Sequence, residues 1–178
     1  MADPSASTQL MIIRQIKSTE GNRLRAIRLQ AIADSPTAFG STLAETQALS
    51  SEDWDHRARG NAAGDNATMF VAEDQGAWVG LAGGMFDQDA RARTVILFSM
   101  WVNPAHRRKR IGRELVNRVV EWSRVRGADR ITLWVTESNK PAIDLYASCG
   151  FTTSDDRQPL PSNPTYLEQR MTLDLFPN

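Results

Sequence analysis

Four basic residues in succession, Arg107-Arg108-Lys109-Arg110, stand between an apolar run that ends at Val102 and an apolar spacing that becomes helical from Ile111. Asn103-Pro104 stops the run, so the segment reads as a strand, a basic loop and a helix start. Backbone N–H groups at a helix start lack partners, and with the positive end of the helix dipole they form a site for phosphate. Ser99 to Gly112 is therefore read as the holder of a phosphorylated ligand. Two plainer readings stand beside it: a solvated loop, or a nucleic-acid contact through His106 to Arg110. Cys149 is the only cysteine, and with only His56 and His106 besides, an internal disulfide framework, a cysteine-based zinc site and a structural metal are not expected. No histidine is near Cys149 in sequence, so it reads as a small buried residue rather than a nucleophile. His106 is expected to be exposed beside the loop and His56 solvated on a polar helix, and neither reads as a base.

Composition sets the frame for these residues. The chain has 178 residues, 41% of them hydrophobic and 24% charged, which suits one globular domain over 9–178 that buries about two-thirds of its unfolded surface. Lysine plus arginine (21) balances aspartate plus glutamate (21), so no global field draws the chain to nucleic acid or to a membrane. No apolar run reaches the roughly 20 residues of a membrane span. Residues 1–8 are small and polar, are expected to be disordered, and lack the basic and apolar regions of a signal peptide, which makes the cytoplasm the expected compartment.

The elements that must position the loop follow from periodicity. Leu10 to Ile16 reads as a strand, then Ser18 or Thr19 caps a helix to about Ala33 with Leu24, Ile27 and Ala31 on one face, stopped at Asp34-Ser35-Pro36. Ala38 to Thr42 is a loop; Ser50 begins a second helix through Trp54 to about Arg59, ended by the Gly/Asn-rich patch Gly60 to Asn66, and the two helices can form one bent unit. Thr68 to Ala72 and Ala77 to Ala82 form a hairpin about Asp74-Gln75-Gly76. After a turn at Asp87 to Ala90, Arg93 to Val102 is a strand whose run Val95-Ile96-Leu97-Phe98 has no polar alternation, as expected of a central strand covered on both faces. Ile111, Leu115, Val119 and Trp122 keep helical spacing up to Gly127. A strand at Ile131 to Val135, a helix capped by Ser138 or Asn139 and ended by Gly150, a short strand Phe151 to Thr153, a Pro-rich loop Asp155 to Pro164 and a closing strand Tyr166 to Leu175 complete the chain. The class is α/β: a mixed, mostly antiparallel central sheet of about seven strands flanked by about four helices.

Two segments resemble the Gcn5-related N-acetyltransferases, the GNAT superfamily. That family's phosphate loop has the form Gln/Arg-x-x-Gly-x-Gly/Ala after a strand ending in Val-x-Pro; here Val102-Asn103-Pro104 precedes Arg107-Arg108-Lys109-Arg110-Ile111-Gly112, with Arg107 at the first position and Gly112 at the last. Arg110 stands where the family has its first glycine. A side chain there is expected to need a permitted helical or extended conformation, or to divert the loop. Asn139 to Phe151 matches Asn-x-x-Ala-x-x-x-Tyr-x-x-x-Gly-Phe at every anchor.

The resemblance implies acetyl-CoA as co-substrate and an amine acceptor, attacked directly in a ternary complex. By the match, Met100, Trp101, Val102, Arg107, Arg108, Lys109, Arg110, Ile111, Gly112, Arg113 and Asn139 would hold the coenzyme: the N–H near Val102 on the thioester carbonyl, Arg108 to Gly112 on the pyrophosphate, Asn139 on the pantetheine arm. Tyr146 would sit near the sulfur as general acid; an ordinary tyrosine pKa of about 10 keeps its proton for a thiolate at neutral pH. Asn139 also reads as a helix cap and Tyr146 as a packing residue. Val95 to Val102 contains no acid, so the base is left among Glu73, Asp87, Glu137 and a water chain. Phe39, Trp54, Phe86 and Tyr166 are candidates for an acceptor pocket flanked by Ser35 to Gly40 and Asp155 to Pro164, with core packing the competing reading for at least half of them. A catalytically silent acyl-CoA-binding module is the alternative to an enzyme, and the closing strand is a candidate for pairing across a homodimer.

Overall fold

The computed structural model describes residues 11–176. Its strands are β1 (Ile12–Gln15), β2 (Ala67–Asp74), β3 (Ala77–Phe86), β4 (Thr94–Val102), β5 (Arg130–Thr136), β6 (Thr152–Leu160) and β7 (Asn163–Asp174). The helices are α1 (Gly21–Asp34), α2 (Leu43–Gln47), α3 (Ser51–Ala63), α4 (Ile111–Val125) and α5 (Lys140–Ser148), with single 3₁₀ turns at Pro36–Ala38 and Pro104–His106. The strands form one sheet in the order β1-β2-β3-β4-β5-β7-β6, antiparallel throughout except where β4 meets β5. The mixed, mostly antiparallel α/β class holds, with five α-helices rather than four. The tail expected at 1–8 lies outside the described residues.

Each face of the sheet carries its own core. On one, Val95, Leu97 and Val102 of β4 and Ile131, Leu133 and Val135 of β5 meet Ile111, Leu115, Val116, Val119 and Val120 of α4. On the other, Trp101, Leu81, Val71 and Met69 meet Leu24, Ile27, Ala31 and Ile32 of α1 and Trp54 and Ala58 of α3. Each buried Leu, Ile or Val stabilises by about 1.5–3 kcal/mol, and two packed faces explain why β4 shows no polar alternation.

The feature that makes room for a site is in β4. Leu81 and Gly83 of β3 pair with Trp101 and Phe98, so Ala82 stands opposite two residues, Ser99 and Met100, and Ser99 takes φ +58. This is a bulge, which bends the strand and re-aims its side chains. Pairing of β4 with β5 covers only Thr94↔Arg130, Val95↔Ile131 and Ile96↔Thr132. Beyond it the two strands part, and the gap opens at their C-terminal ends.

Several local expectations are corrected. Residues 43–47 form α2, signalled by the Thr42/Glu45 capping box; α3 has the same device in Ser50/Asp53 and runs one turn beyond Arg59, to a left-handed stop at Gly64. The intervening α2 means that α1 and α3 are not one bent unit. Most of the expected Pro-rich loop is β6, a largely exposed edge strand that owes its form to pairing with β7 and tolerates Pro159 at the edge. The closing strand β7 is therefore flanked by β5 and β6, and the free edge on that side is β6.

Candidate active site

Between the parted ends of β4 and β5 lies a cleft of about 730 Å³. Met100, Trp101 and Val102 form one wall, Trp134, Val135 and Thr136 the other; Arg107, Arg108, Arg110, Ile111, Gly112 and Arg113 close one end, Asn139 and Tyr146 lie along α5, and Ser35 and Ala38 reach in from behind α1. Lys109 is exposed and is not part of this lining.

The orientation of the Val102 peptide follows from strand pairing. Gly80 and Val102 are register partners, and the N–H of Asn103 donates to the carbonyl of Val79. That pattern marks Gly80↔Val102 as a non-hydrogen-bonded pair, whose own N–H and C=O groups point away from the partner strand. Those of Val102 therefore face the gap toward β5. The carbonyl is taken by Arg107 Nε at 2.9 Å; the N–H is left as a donor at the cleft wall.

Arg107 does structural work here. Besides Val102 it donates to Asp34 Oδ2, which also accepts from Trp101 Nε1 at 2.9 Å and Ser35 Oγ at 2.7 Å. Burial alone would raise the Asp34 pKa, but those three donors and the Arg107 charge outweigh it and hold the carboxyl below its ordinary value. One carboxylate thus joins the end of α1, the end of β4 and the basic loop.

Two residues of that loop, Arg108 (φ +64) and Arg110 (φ +63), are left-handed, and Arg110 is the N-cap residue of α4. The expected helical or extended conformation, or a diverted path, is not what occurs. Arg110 keeps a conformation that glycine adopts freely, and the strain falls on its side chain. Its neighbour Gly112 needs its own small size: a Cβ there would lie 2.9 Å from Met100 Cε and 3.1 Å from Leu145 Cδ2. Arg113 donates to the Ser148 carbonyl at 2.7 Å, tying α4 to α5.

On α5, Asn139 Oδ1 accepts from the Ala142 N–H at 3.3 Å, so this residue caps the helix and its amide nitrogen remains available. Tyr146 is 6% exposed and its ring lies 5.9 Å from that of Phe151. Burial, and then the neighbouring Cys149, push the phenol well above its ordinary pKa, so it holds its proton throughout the neutral range.

A model of the acetyltransferase (GNAT) family matches residues 30–151. The chain belongs to this family. A mycothiol acetyltransferase of Thermomonospora curvata is 31% identical over 123 residues, covering 69% of this chain and 37% of that one. Streptothricin acetyltransferase of Streptomyces lavendulae is 36% identical over 75 residues, covering 36% of this chain and 40% of that one. The chain spans about two fifths of the length of these curated relatives. Among solved structures, yncA of Salmonella typhimurium, a putative acetyltransferase with acetyl-CoA, superposes with a TM-score of 0.78 at 20% identity over 96% of each chain. At that identity the likeness concerns the fold.

In this GNAT-family protein the acceptor-side candidates are not gathered into one pocket. Trp54 (1% exposed) and Phe39 (5%) are core residues beneath α1. Phe86 is register partner of Val95, at the far end of β4 from Val102, where it packs on Trp122 and under Arg93. Tyr166 is half-exposed on β7. The flanking segments do meet: Ser162 Oγ donates to the Phe39 carbonyl, and Thr136 Oγ1 to that of Thr37. As for the acids, Glu73 is held by Arg14 and Trp78, Asp87 lies beside Thr94 at the far end, and Glu137 is paired with Arg157. His106 is half-buried against Asp74 rather than exposed, and Cys149 is half-buried against the core. Ser35 and Ala38, from the segment expected to flank the acceptor, do line the cleft, whereas sequence reasoning missed Trp134 and Thr136 as lining, and also Glu168, 7% exposed on β7, register partner of Thr136 and bonded to Gln158. The strand alternation that puts Trp134 and Thr136 on one face was the available signal. Among the described residues no group of three or more His, Cys, Asp or Glu is placed to hold a metal, and no helix is long and apolar enough to cross a membrane.

Proposed function

We propose that this protein is an acetyl-CoA-dependent N-acetyltransferase that moves an acetyl group to a primary amine of a small molecule or peptide by direct attack, with both substrates held in the cleft. The observation that carries the reading is the meeting, in one cleft, of the Val102 N–H, a protonated tyrosine and a helix start ringed by basic residues. The residues suit the coenzyme: Gly112 leaves space that a Cβ would fill, and the first N–H groups of α4 lack intrahelical partners. Acetyl-CoA, when bound, supplies an acetyl thioester.

The chain's own groups divide the remaining work. The N–H groups from Arg108 to Gly112 hold the pyrophosphate, with Arg108, Lys109, Arg110 and Arg113 adding positive charge. The Asn139 amide donates to the pantetheine arm, and the Met100 and Trp101 backbone forms the wall it lies against. The Val102 N–H polarises the carbonyl, a preorganised donor in a partly water-excluded site. The acceptor amine approaches from the side of Ser35 and Ala38, across Trp134 and Thr136. Tyr146 gives its proton to the departing sulfur, and the amine's proton leaves through water toward Glu168, the register partner of the cleft-lining Thr136. The two steps balance in protons.

Calorimetry with CoA and acetyl-CoA, followed by thiol release over a panel of primary amines, tests the reading. Saturable binding and turnover of at least one amine are expected, and Tyr146→Phe is expected to slow release by about 10²-fold or more with binding retained. Failure to bind CoA overturns the reading; binding without turnover of any amine leaves an acyl-CoA-binding module.

A further inference from the structure

Arg28 is a cation beside this site that no acid balances. Arg14, Arg23 and Arg107 each hold a carboxylate within 4.0 Å. Arg28 instead donates to two neutral hydroxyls, Ser99 Oγ at 3.0 Å and Ser41 Oγ at 3.3 Å, and stacks over the Phe39 ring at 4.9 Å; among the described residues it enters no ion pair. It is partly buried. Taking a guanidinium from water without a counter-charge is costly. Burial, and then the like charge of Arg57, bring its pKa down to about 10, so it stays charged at neutral pH while its surroundings disfavour that charge.

Its partners adjoin, along the chain, residues that line the cleft. Ser99 is the left-handed residue of the β4 bulge, directly before Met100 on the cleft wall. Ser41 follows the Ser35–Ala38 segment that reaches into the same cleft. Each serine oxygen accepts from Arg28 and keeps its own O–H as a donor, and the guanidinium, with five N–H groups, has three beyond the two spent here. The set is three donor groups around one positive charge, and among the described residues Arg28 donates to these two neutral hydroxyls and to no carboxylate.

We infer that Arg28, Ser41 and Ser99 form an oxyanion subsite, and that the acceptor is a small amine carrying a carboxylate or phosphonate, the class to which free amino acids belong. This rests on the amine-acetylating reading for the amine, but the anion site is testable apart from it. A bidentate arginine–oxyanion pair is the strong form of the contact, and the anion would relieve the uncompensated charge.

The experiment compares matched acceptors on the wild-type protein by thiol release: an α-amino acid, its carboxamide and its aminophosphonate analogue. The expected result is a KM at least tenfold lower for the two anionic forms than for the carboxamide, with the carboxylate and phosphonate arms ranking the two anions. Arg28→Gln is expected to raise KM for the anionic forms about tenfold, leaving kcat, the carboxamide KM and the acetyl-CoA KM unchanged; Arg28→Lys recovers part of the loss. Equal use of acid and carboxamide by the wild type overturns the inference, and this comparison needs no variant to fold. If no amine is turned over, the acetylation reading fails separately, and the subsite is then tested by thermal shift with inorganic phosphate in the presence of saturating CoA. Stabilisation that Arg28→Gln abolishes supports the subsite; no stabilisation, or stabilisation equal in both proteins, overturns it.

Discussion

Replacing Arg110 by glycine is expected to move stability and coenzyme affinity in opposite directions. At φ +63 a side chain costs about 1–2 kcal/mol through the contact of Cβ with the following carbonyl. Glycine removes that strain but loosens the unfolded chain by about 0.4–1 kcal/mol. The net gain is about 0.5–1 kcal/mol, or a Tm increase of about 1–4 °C for a domain of this size. The same change deletes an exposed positive charge at the start of α4. An exposed pair with a phosphate contributes about 0.2–1 kcal/mol, so the CoA dissociation constant should rise by up to about fivefold. Differential scanning calorimetry of the free protein and titration calorimetry with CoA read the two effects separately, and the affinity gap between the proteins should narrow as salt screens the charge. A lower Tm for Arg110→Gly would refute the claim that this position stores strain. An unchanged affinity at low salt would refute the assignment of its side chain to the phosphates.

Further substitutions test the supports of the site. Asp34→Asn should destabilise by about 1–3 kcal/mol by weakening the acceptor of Trp101, Arg107 and Ser35. Because the folded pKa of Asp34 lies below its ordinary value, its contribution is complete above that ordinary value and is lost as pH falls through the folded one; thermal melts of the two proteins should converge on acidification. Gly112→Ala places a Cβ against the flexible ends of Met100 and Leu145, so a modest cost of about 1 kcal/mol and weaker CoA binding are expected in the same two assays. Asn139→Ala removes a cap, about 1 kcal/mol in chemical denaturation, and should raise KM for acetyl-CoA more than it lowers kcat.

The reading of β4, the basic loop and α4 from sequence succeeded because their signals are local. An uninterrupted apolar run, a proline stop and a helical stripe each report burial within a few turns of chain. The same holds for the placement of α5, delimited by its cap Asn139 and by Gly150. The edge strand β6 gave no such signal, since Thr152 to Pro159 buries almost nothing and is extended only because β7 lies beside it. Aromatic residues were equally mute about place: Trp54 and Phe39 are as apolar in a core as they would be in a pocket, and only the packing of α1 and α3 on the sheet separates the two.

Residue types and spacing by themselves determined that a strand delivers the chain into a basic helix start and that a tyrosine helix follows it. The tertiary structure decided what those residues have left to offer. Pairing with β3 turns the Val102 N–H toward the gap, Asp34 takes the side chain of Arg107, the loop path holds Arg110 left-handed, and Arg28 is set between the hydroxyls of Ser41 and Ser99. The physical reason is that hydrogen-bonding capacity and charge are spent or left unspent by partners distant in sequence, and periodicity carries no record of those partners.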